Sequence, residues 1–204
     1  MAGLKIHLLG GLQITRADAP ITNFISNKVP ALLAYLAVTR RAHSRDKLAS
    51  LLWGEMSDAD AKNNLRQALT NLRRVADDCL TITRDSIEFI GDCFLDSVKF
   101  ESDIKSASSL DTSTLRQAQD DASLSAGSEP FDQTQGKPAS VILTDSLSLY
   151  RGDFLEGFFV RDAPNFEDWM LVERARLREL ALQSLPTLTQ FHTQRGHFTE
   201  AMTY

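Results

Sequence analysis

The sequence predicts an α+β N-terminal half followed by an all-α C-terminal half. Three observations carry the prediction. Short runs of alternating apolar and polar residues occur near residues 4–14 and 80–90, while the chain beyond 95 reads as helices and loop. Between them, residues 58–78 switch to a 3.6-residue period with two clean faces. Charge divides along the same line: residues 1–95 hold 12 Lys+Arg and 10 Asp+Glu, or +2, and residues 96–204 hold 10 and 17, or -7. We therefore assign domains to 1–95 and 96–204.

Leu4, Ile6 and Leu8 alternate with Lys5 and His7, Gly10-Gly11 interrupts, and Leu12 and Ile14 resume: a strand, a break and a second strand. Asp18-Ala-Pro20 marks a turn. Asn27 to Thr39 reads as a helix that Asn27 can cap, with Pro30 in its first turn and Val29, Leu32, Leu33, Leu36 and Ala37 on its buried stripe. Ser44 can cap a second helix that packs through Leu48, Leu51 and Leu52 and stops at Gly54.

The third helix, 58–76, carries most of the functional information. Ala61, Leu65, Ala68, Leu69, Leu72 and Ala76 fall on one face and call for a core. Asn63, Arg66, Gln67, Thr70 and Arg74 fall on the other, flanked by Lys62 and Arg73. No acid interrupts Lys62 to Arg74 on that face, whereas solvated helices ordinarily mix signs to form i,i+4 pairs. Asp58 and Asp60 stand at the start, where Ser57 or Asp58 can cap and acids suit the helix dipole. Side chains of this kind can fork onto base edges and donate to phosphates; the plainer alternative is a solvated amphipathic helix.

Two short helices joined by a tight turn, the second with a basic polar face, follow the helix-turn-helix plan. Leu80-Thr-Ile-Thr83 and Ile87-Glu-Phe-Ile90 then flank Arg84-Asp85-Ser86, a hairpin with a basic tip that would serve as a wing. On the segments Leu8-Leu-Gly-Gly11, Lys28-Val-Pro-Ala-Leu-Leu-Ala-Tyr-Leu-Ala37, Ser44-Arg-Asp-Lys-Leu-Ala-Ser-Leu-Leu-Trp53 and Asn64-Leu-Arg-Gln-Ala-Leu-Thr-Asn-Leu-Arg-Arg74, residues 4–103 resemble the OmpR/PhoB-type winged helix-turn-helix domain of the Streptomyces antibiotic regulatory protein family. The resemblance implies a transcriptional activator that binds direct repeats near promoters. It makes 58–76 the recognition helix and sets Ser44 and Arg45 beside the phosphates.

Beyond Phe94, 96–107 and 143–151 read as helices, and 165–191 as helical material broken near Pro186. Residues 106–140 are rich in Ser, Asp, Thr, Gln and Gly and read mostly as loop. Tyr150-Arg-Gly-Asp-Phe-Leu-Glu-Gly157, Ala163-Pro-Asn-Phe-Glu-Asp-Trp169 and Glu173-Arg-Ala-Arg-Leu-Arg178 resemble the bacterial transcriptional activator domain that follows the winged helix in that family. Gly196-His-Phe-Thr-Glu-Ala201 is similar to the turn inside a tetratricopeptide repeat. The expected fold is thus a winged helix-turn-helix domain followed by an all-α, TPR-like domain. A repeat does not bury its face alone, so a longer parent chain is expected.

Little points to catalysis. His7, His43, His192 and His197 lie in unrelated places, and Cys79 and Cys93 form no CxxC, so neither a catalytic set, a metal site nor a cofactor is expected. With no signal peptide and no apolar run of membrane length, a cytoplasmic protein without a membrane partner is expected. The candidate DNA-binding residues are Ser44, Arg45, Lys62, Asn63, Arg66, Gln67, Thr70, Arg73, Arg74 and Arg84. Arg66 and Gln67 are expected to read bases, and Arg45, Arg73, Arg74 and Arg84 to hold phosphates. Double-stranded DNA, RNA polymerase and a second copy on repeated half-sites are the partners implied. The competing function is a protein-interaction adaptor that uses the same helices without DNA; exposed apolar anchors would favour it.

Overall fold

The computed structural model describes residues 3–107 and 139–194. The strands are β1 Leu4–His7, β2 Gln13–Arg16, β3 Ala19–Pro20, β4 His43–Ser44, β5 Leu80–Ile82, β6 Ser86–Phe89 and β7 Phe94–Leu95. The helices are α1 Lys28–Thr39, α2 Arg45–Trp53, α3 Asp58–Ala76, α4 at 96–107, α5 Ala139–Leu147 and α6 Pro164–Gln194, with a 3-10 turn at Asp77–Cys79. The chain is therefore mixed α+β.

Two compact units divide these elements: Met1–Val98 with Arg151–Leu177, and Lys99–Tyr150 with Arg178–Tyr204. The first unit is discontinuous in sequence, and its later segment comes from what the sequence assigned wholly to the second half.

In the first unit, one sheet runs β3-β2-β1-β7 and the other β4-β6-β5. The β2–β3 turn places Ala17 and Asp18 at φ 52 and 61, the left-handed geometry that matches strand twist in a tight hairpin. Short β7, at Phe94 and Leu95, pairs parallel to β1 and escapes periodicity because two residues carry no period. The run Val29–Ala37 in α1 is buried throughout, as befits a helix that is apolar nearly all round. Asn27 does not cap this helix by its side chain; it is itself helical, and its amide donates to the Phe159 carbonyl at 3.3 Å. Ser44 and Ser57 do cap α2 and α3, accepting from the Lys47 and Asp60 amides.

Residues 151–177 belong with this body for a physical reason. Leu9 bridges Phe154, the Leu155 amide donates to the Leu8 carbonyl at 2.7 Å, and the Glu156 amide to the Gly10 carbonyl at 2.9 Å. Gly10 has φ 94, and Arg151 lies against it. Phe154, Leu155 and Phe166 are fully buried, and Trp169 meets Tyr35, Phe154 and Phe166 edge-on or tilted. Cys79 and Cys93 are free and buried, and burial pushes the Cys79 thiol up to about 11.

In the second unit, Phe100, Ile104 and Ala107 of α4 and Leu143 and Ser146 of α5 are buried. The Ser146 hydroxyl donates to the Phe100 carbonyl, and Tyr150 leans on the Phe100 ring. Helix α5 starts and stops about four residues before its expected place, closing in a turn at Ser148–Tyr150. Helix α6 is not broken at Pro186 but runs through it. Proline removes one intrahelical bond; the carbonyl it orphans is that of Leu182, an exposed residue open to water. Of the loop-rich 106–140 segment, residues 106–107 and 139–140 are helical and the rest lies outside the described residues, as does the repeat-like turn at 196–201. No helix among the described residues is long and apolar enough to cross a membrane.

Candidate nucleic-acid interface

Helix α3 buries the stripe read from its period: Ala61, Leu65, Ala68, Leu69, Leu72 and Ala76 are each at most 5% exposed. Packing that face on α2 and α1 leaves Lys62, Asn63, Arg66, Gln67, Thr70, Arg73 and Arg74 outward and exposed. Asn71 is the one polar residue of α3 drawn inward, and its carbonyl oxygen accepts from the Ile25 amide at 3.4 Å.

The outward residues are partly engaged with one another. The Arg66 guanidinium donates to Asn63 at 3.4 Å, and the Thr70 hydroxyl donates to the Arg66 carbonyl at 2.9 Å. Lys62 Nζ meets Asp46 Oδ1 of α2 at 3.0 Å, and this hydrogen bond raises the lysine pKa. Arg73 Nε lies 4.0 Å from Asp77. The acid-free face of the sequence therefore acquires acids in three dimensions, from α2 and from the end of α3. Sequence periodicity registers only the charges a helix carries itself.

The β5–β6 hairpin turns at Thr83–Ser86, with Arg84 exposed at the tip. Thr83 organises the turn: its hydroxyl accepts the Asp85 and Ser86 amides at 3.3 and 2.9 Å, and its own amide donates to the Ser86 carbonyl at 2.9 Å. Strand β4 pairs Ser44 with Ser86, which brings the N-terminus of α2 beside the tip. Arg45 faces the hairpin: Nε and Nη2 donate to the Thr83 carbonyl at 3.3 and 2.8 Å. Ser44, Arg45, Asp46, Lys62, Arg66 and Arg84 line a single cleft between α2, α3 and the tip, together with Leu65 and Asp85. Gln67, Thr70, Arg73 and Arg74 stand along α3 outside it. The sequence reading missed Asp46, Thr83 and Asp85; a Thr three residues before a Ser around Arg84-Asp85 is the available signal for such a turn.

Arg16 of β2 braces the far end of α3. Its guanidinium donates to both Asp78 carboxylate oxygens, at 3.1 and 2.6 Å, and to the Val75 carbonyl at 3.0 Å. The bond from Arg16 holds the Asp78 carboxyl below its ordinary value, and it neutralises an acid misplaced at a helix C-terminus.

The fold is similar to that of Mycobacterium tuberculosis EmbR in complex with a low affinity phosphopeptide, with a TM-score of 0.69 at 21% identity. That match covers 96% of this chain, which spans 47% of the EmbR chain. No family model and no curated protein matches the sequence.

Proposed function

We propose that the chain is a sequence-specific DNA-binding transcriptional regulator of the Streptomyces antibiotic regulatory protein type, acting as an activator in the bacterial cytoplasm. Residues 1–95 then supply a winged helix-turn-helix and residues 96–204 a TPR-like activator region, without enzymatic activity. One observation carries this reading: Ser44 and Arg45 at the start of α2, Lys62 and Arg66 on α3, and Arg84 at the hairpin tip border one cleft. A recognition helix and a wing that share one side can enter a major groove and touch the flanking backbone together. Arg66 and Gln67 read base edges, and Arg73, Arg74 and Arg84 hold phosphates. RNA polymerase and a second copy on a repeated half-site complete the proposed partners.

A selection of bound sequences from a random duplex library tests it. A consensus with two repeated half-sites is expected, with log K falling against log salt by about 0.9 per phosphate contact. Enrichment of no sequence above the starting pool would overturn the reading. The adaptor alternative keeps one supporting observation: Ile25, Met56 and Phe159, 62%, 49% and 64% exposed, border a groove beside α3. Salt-independent or absent DNA binding would favour it.

A further inference from the structure

We propose that Arg45 is a positioning residue: its guanidinium holds the hairpin tip in place so that Arg84 meets a phosphate. The inference rests on the DNA-binding reading and departs from the direct phosphate role that the sequence implies for Arg45.

The contacts at the tip divide into two sets. One set is internal: the Thr83 hydroxyl gathers the Asp85 and Ser86 amides and the Thr83 amide bonds the Ser86 carbonyl. These bonds shape the turn but do not fix where it stands. The other set joins the tip to the start of α2: the main-chain pairing of Ser44 with Ser86, the Arg45 amide on the Asp85 carbonyl at 3.1 Å, and, as the side-chain contact, the Arg45 guanidinium on the Thr83 carbonyl. Together they grip Arg84 from both sides along the chain. The side-chain contact uses Nε and Nη2 against one oxygen, a fork that a lysine ammonium on a flexible stem does not reproduce. Arg84, by contrast, is exposed, and its neighbour Asp85 is an acid on the same tip. A tip free to swing would offer DNA the carboxylate as readily as the guanidinium, and ordering it beforehand removes that entropy from the binding step.

The test uses the full chain and a mixed-sequence duplex of about 30 base pairs, long enough for several phosphate contacts. Binding is titrated against salt for wild type, Arg45→Ala, Arg45→Lys, Arg84→Ala and the double Arg45→Ala/Arg84→Ala. Amide hydrogen exchange of Thr83, Asp85 and Ser86 is followed in the free proteins. Arg84→Ala is expected to weaken binding about three- to tenfold, one hydrogen-bonded contact, and to lower the salt slope by about 1. Arg45→Ala is expected to do the same, with the double variant no worse than either and Arg45→Lys no better than Arg45→Ala. Exchange at the tip should quicken in both Arg45 variants. A double variant that loses the product of the single losses would mean that Arg45 has its own DNA contact, and the inference falls. Restoration by Arg45→Lys, or unchanged tip exchange, overturns it too, and Arg45→Lys carries the comparison if Arg45→Ala fails to fold. Quickened tip exchange in the Arg45 variants, beside a wild type that shows no salt-dependent binding, would instead bring down the DNA-binding reading, and with it the purpose of the brace.

Discussion

Phe154→Ala tests the discontinuous first unit. Phe154 lies 145 positions from Leu9 in sequence but bridges it, is fully buried, and sits 5.7 Å from the Trp169 ring. Truncating a buried Phe removes its transfer free energy and leaves a cavity, about 3–5 kcal/mol together. That is a large part of the 5–15 kcal/mol that holds an ordinary domain. Because Phe154 bridges Leu9, just after β1, and meets Trp169, whose ring in turn meets Tyr35 of α1, the loss should be felt there and not only locally. Amide exchange followed by mass spectrometry should show Leu4–His7 and Val29–Ala37 exchanging about a hundredfold to several thousandfold faster. Phe100→Ala, in the other unit, is the control and should leave these amides close to their original rates. If Phe154→Ala quickens exchange only within 151–177, the segment is an appendage and the packing argument fails.

Arg66→Ala should weaken binding to a selected site by about 1–3 kcal/mol and relax its sequence preference, and an equal loss on random duplex would exclude a base-reading role. His43 is 2% exposed, its Nε2 lies 2.7 Å from the Thr39 hydroxyl, and burial, with Arg41 and Lys47 adding to it, pushes its pKa down to about 4. The unfolded chain therefore takes up this proton first, so stability falls by up to about 3 kcal/mol as pH drops from 6.5 towards 4 and is untouched by this group above 6.5. His43→Gln should flatten urea-denaturation midpoints across that window, and an unchanged slope would exclude the histidine as the cause. Arg16→Ala should cost about 1 kcal/mol, since both partners are partly exposed, and Asp78→Ala added to it should cost nothing further in the same titrations. The contribution of that pair is present above the ordinary carboxyl pKa of 3.8 and disappears as pH falls below it, because Asp78 is held lower in the folded state.

The parts legible in the sequence are those that repeat. Nineteen residues of α3 span more than five turns, so six buried positions and the outward basic face could be assigned from period alone. The cap at Ser44 was legible because a hydroxyl just before a helix has one common use, while at the start of α3 the sequence left Ser57 and Asp58 open and the structure takes Ser57. What escaped has no period: two-residue β7, the Asp46–Lys62 pair, and the Arg45 fork onto a main-chain carbonyl. Asn27 shows the limit of a local rule, since its amide found the Phe159 carbonyl, 132 residues on, instead of the helix it precedes. Pro186 shows another, because a helix whose orphaned carbonyl belongs to an exposed residue, Leu182, accommodates the defect.

The boundary read at 95/96 illustrates how composition and contact part company. Charge changes sign there, yet Asp96, the first acid of the acidic half, is wholly buried in the first unit. Its carboxylate accepts the Leu8, Leu9 and Ser97 amides at 2.8, 3.1 and 2.8 Å, with His7 Nδ1 and Arg151 3.5 and 3.7 Å away. Three amide donors and a nearby guanidinium replace the water that burial removes, which is the condition for keeping a carboxylate inside. Leu8 and Leu9 are the residues that receive 154–155 through the main chain, so one side chain orders the segment just after β1 for its later partner. A fragment ending at 95 would leave those two amides without their acceptor, Leu9 without its bridge to Phe154, and Tyr35 of α1 without the Trp169 ring. The charge step thus marks where surface composition changes, while the physical edge of the folding unit is set by the buried contacts that residues 151–177 complete.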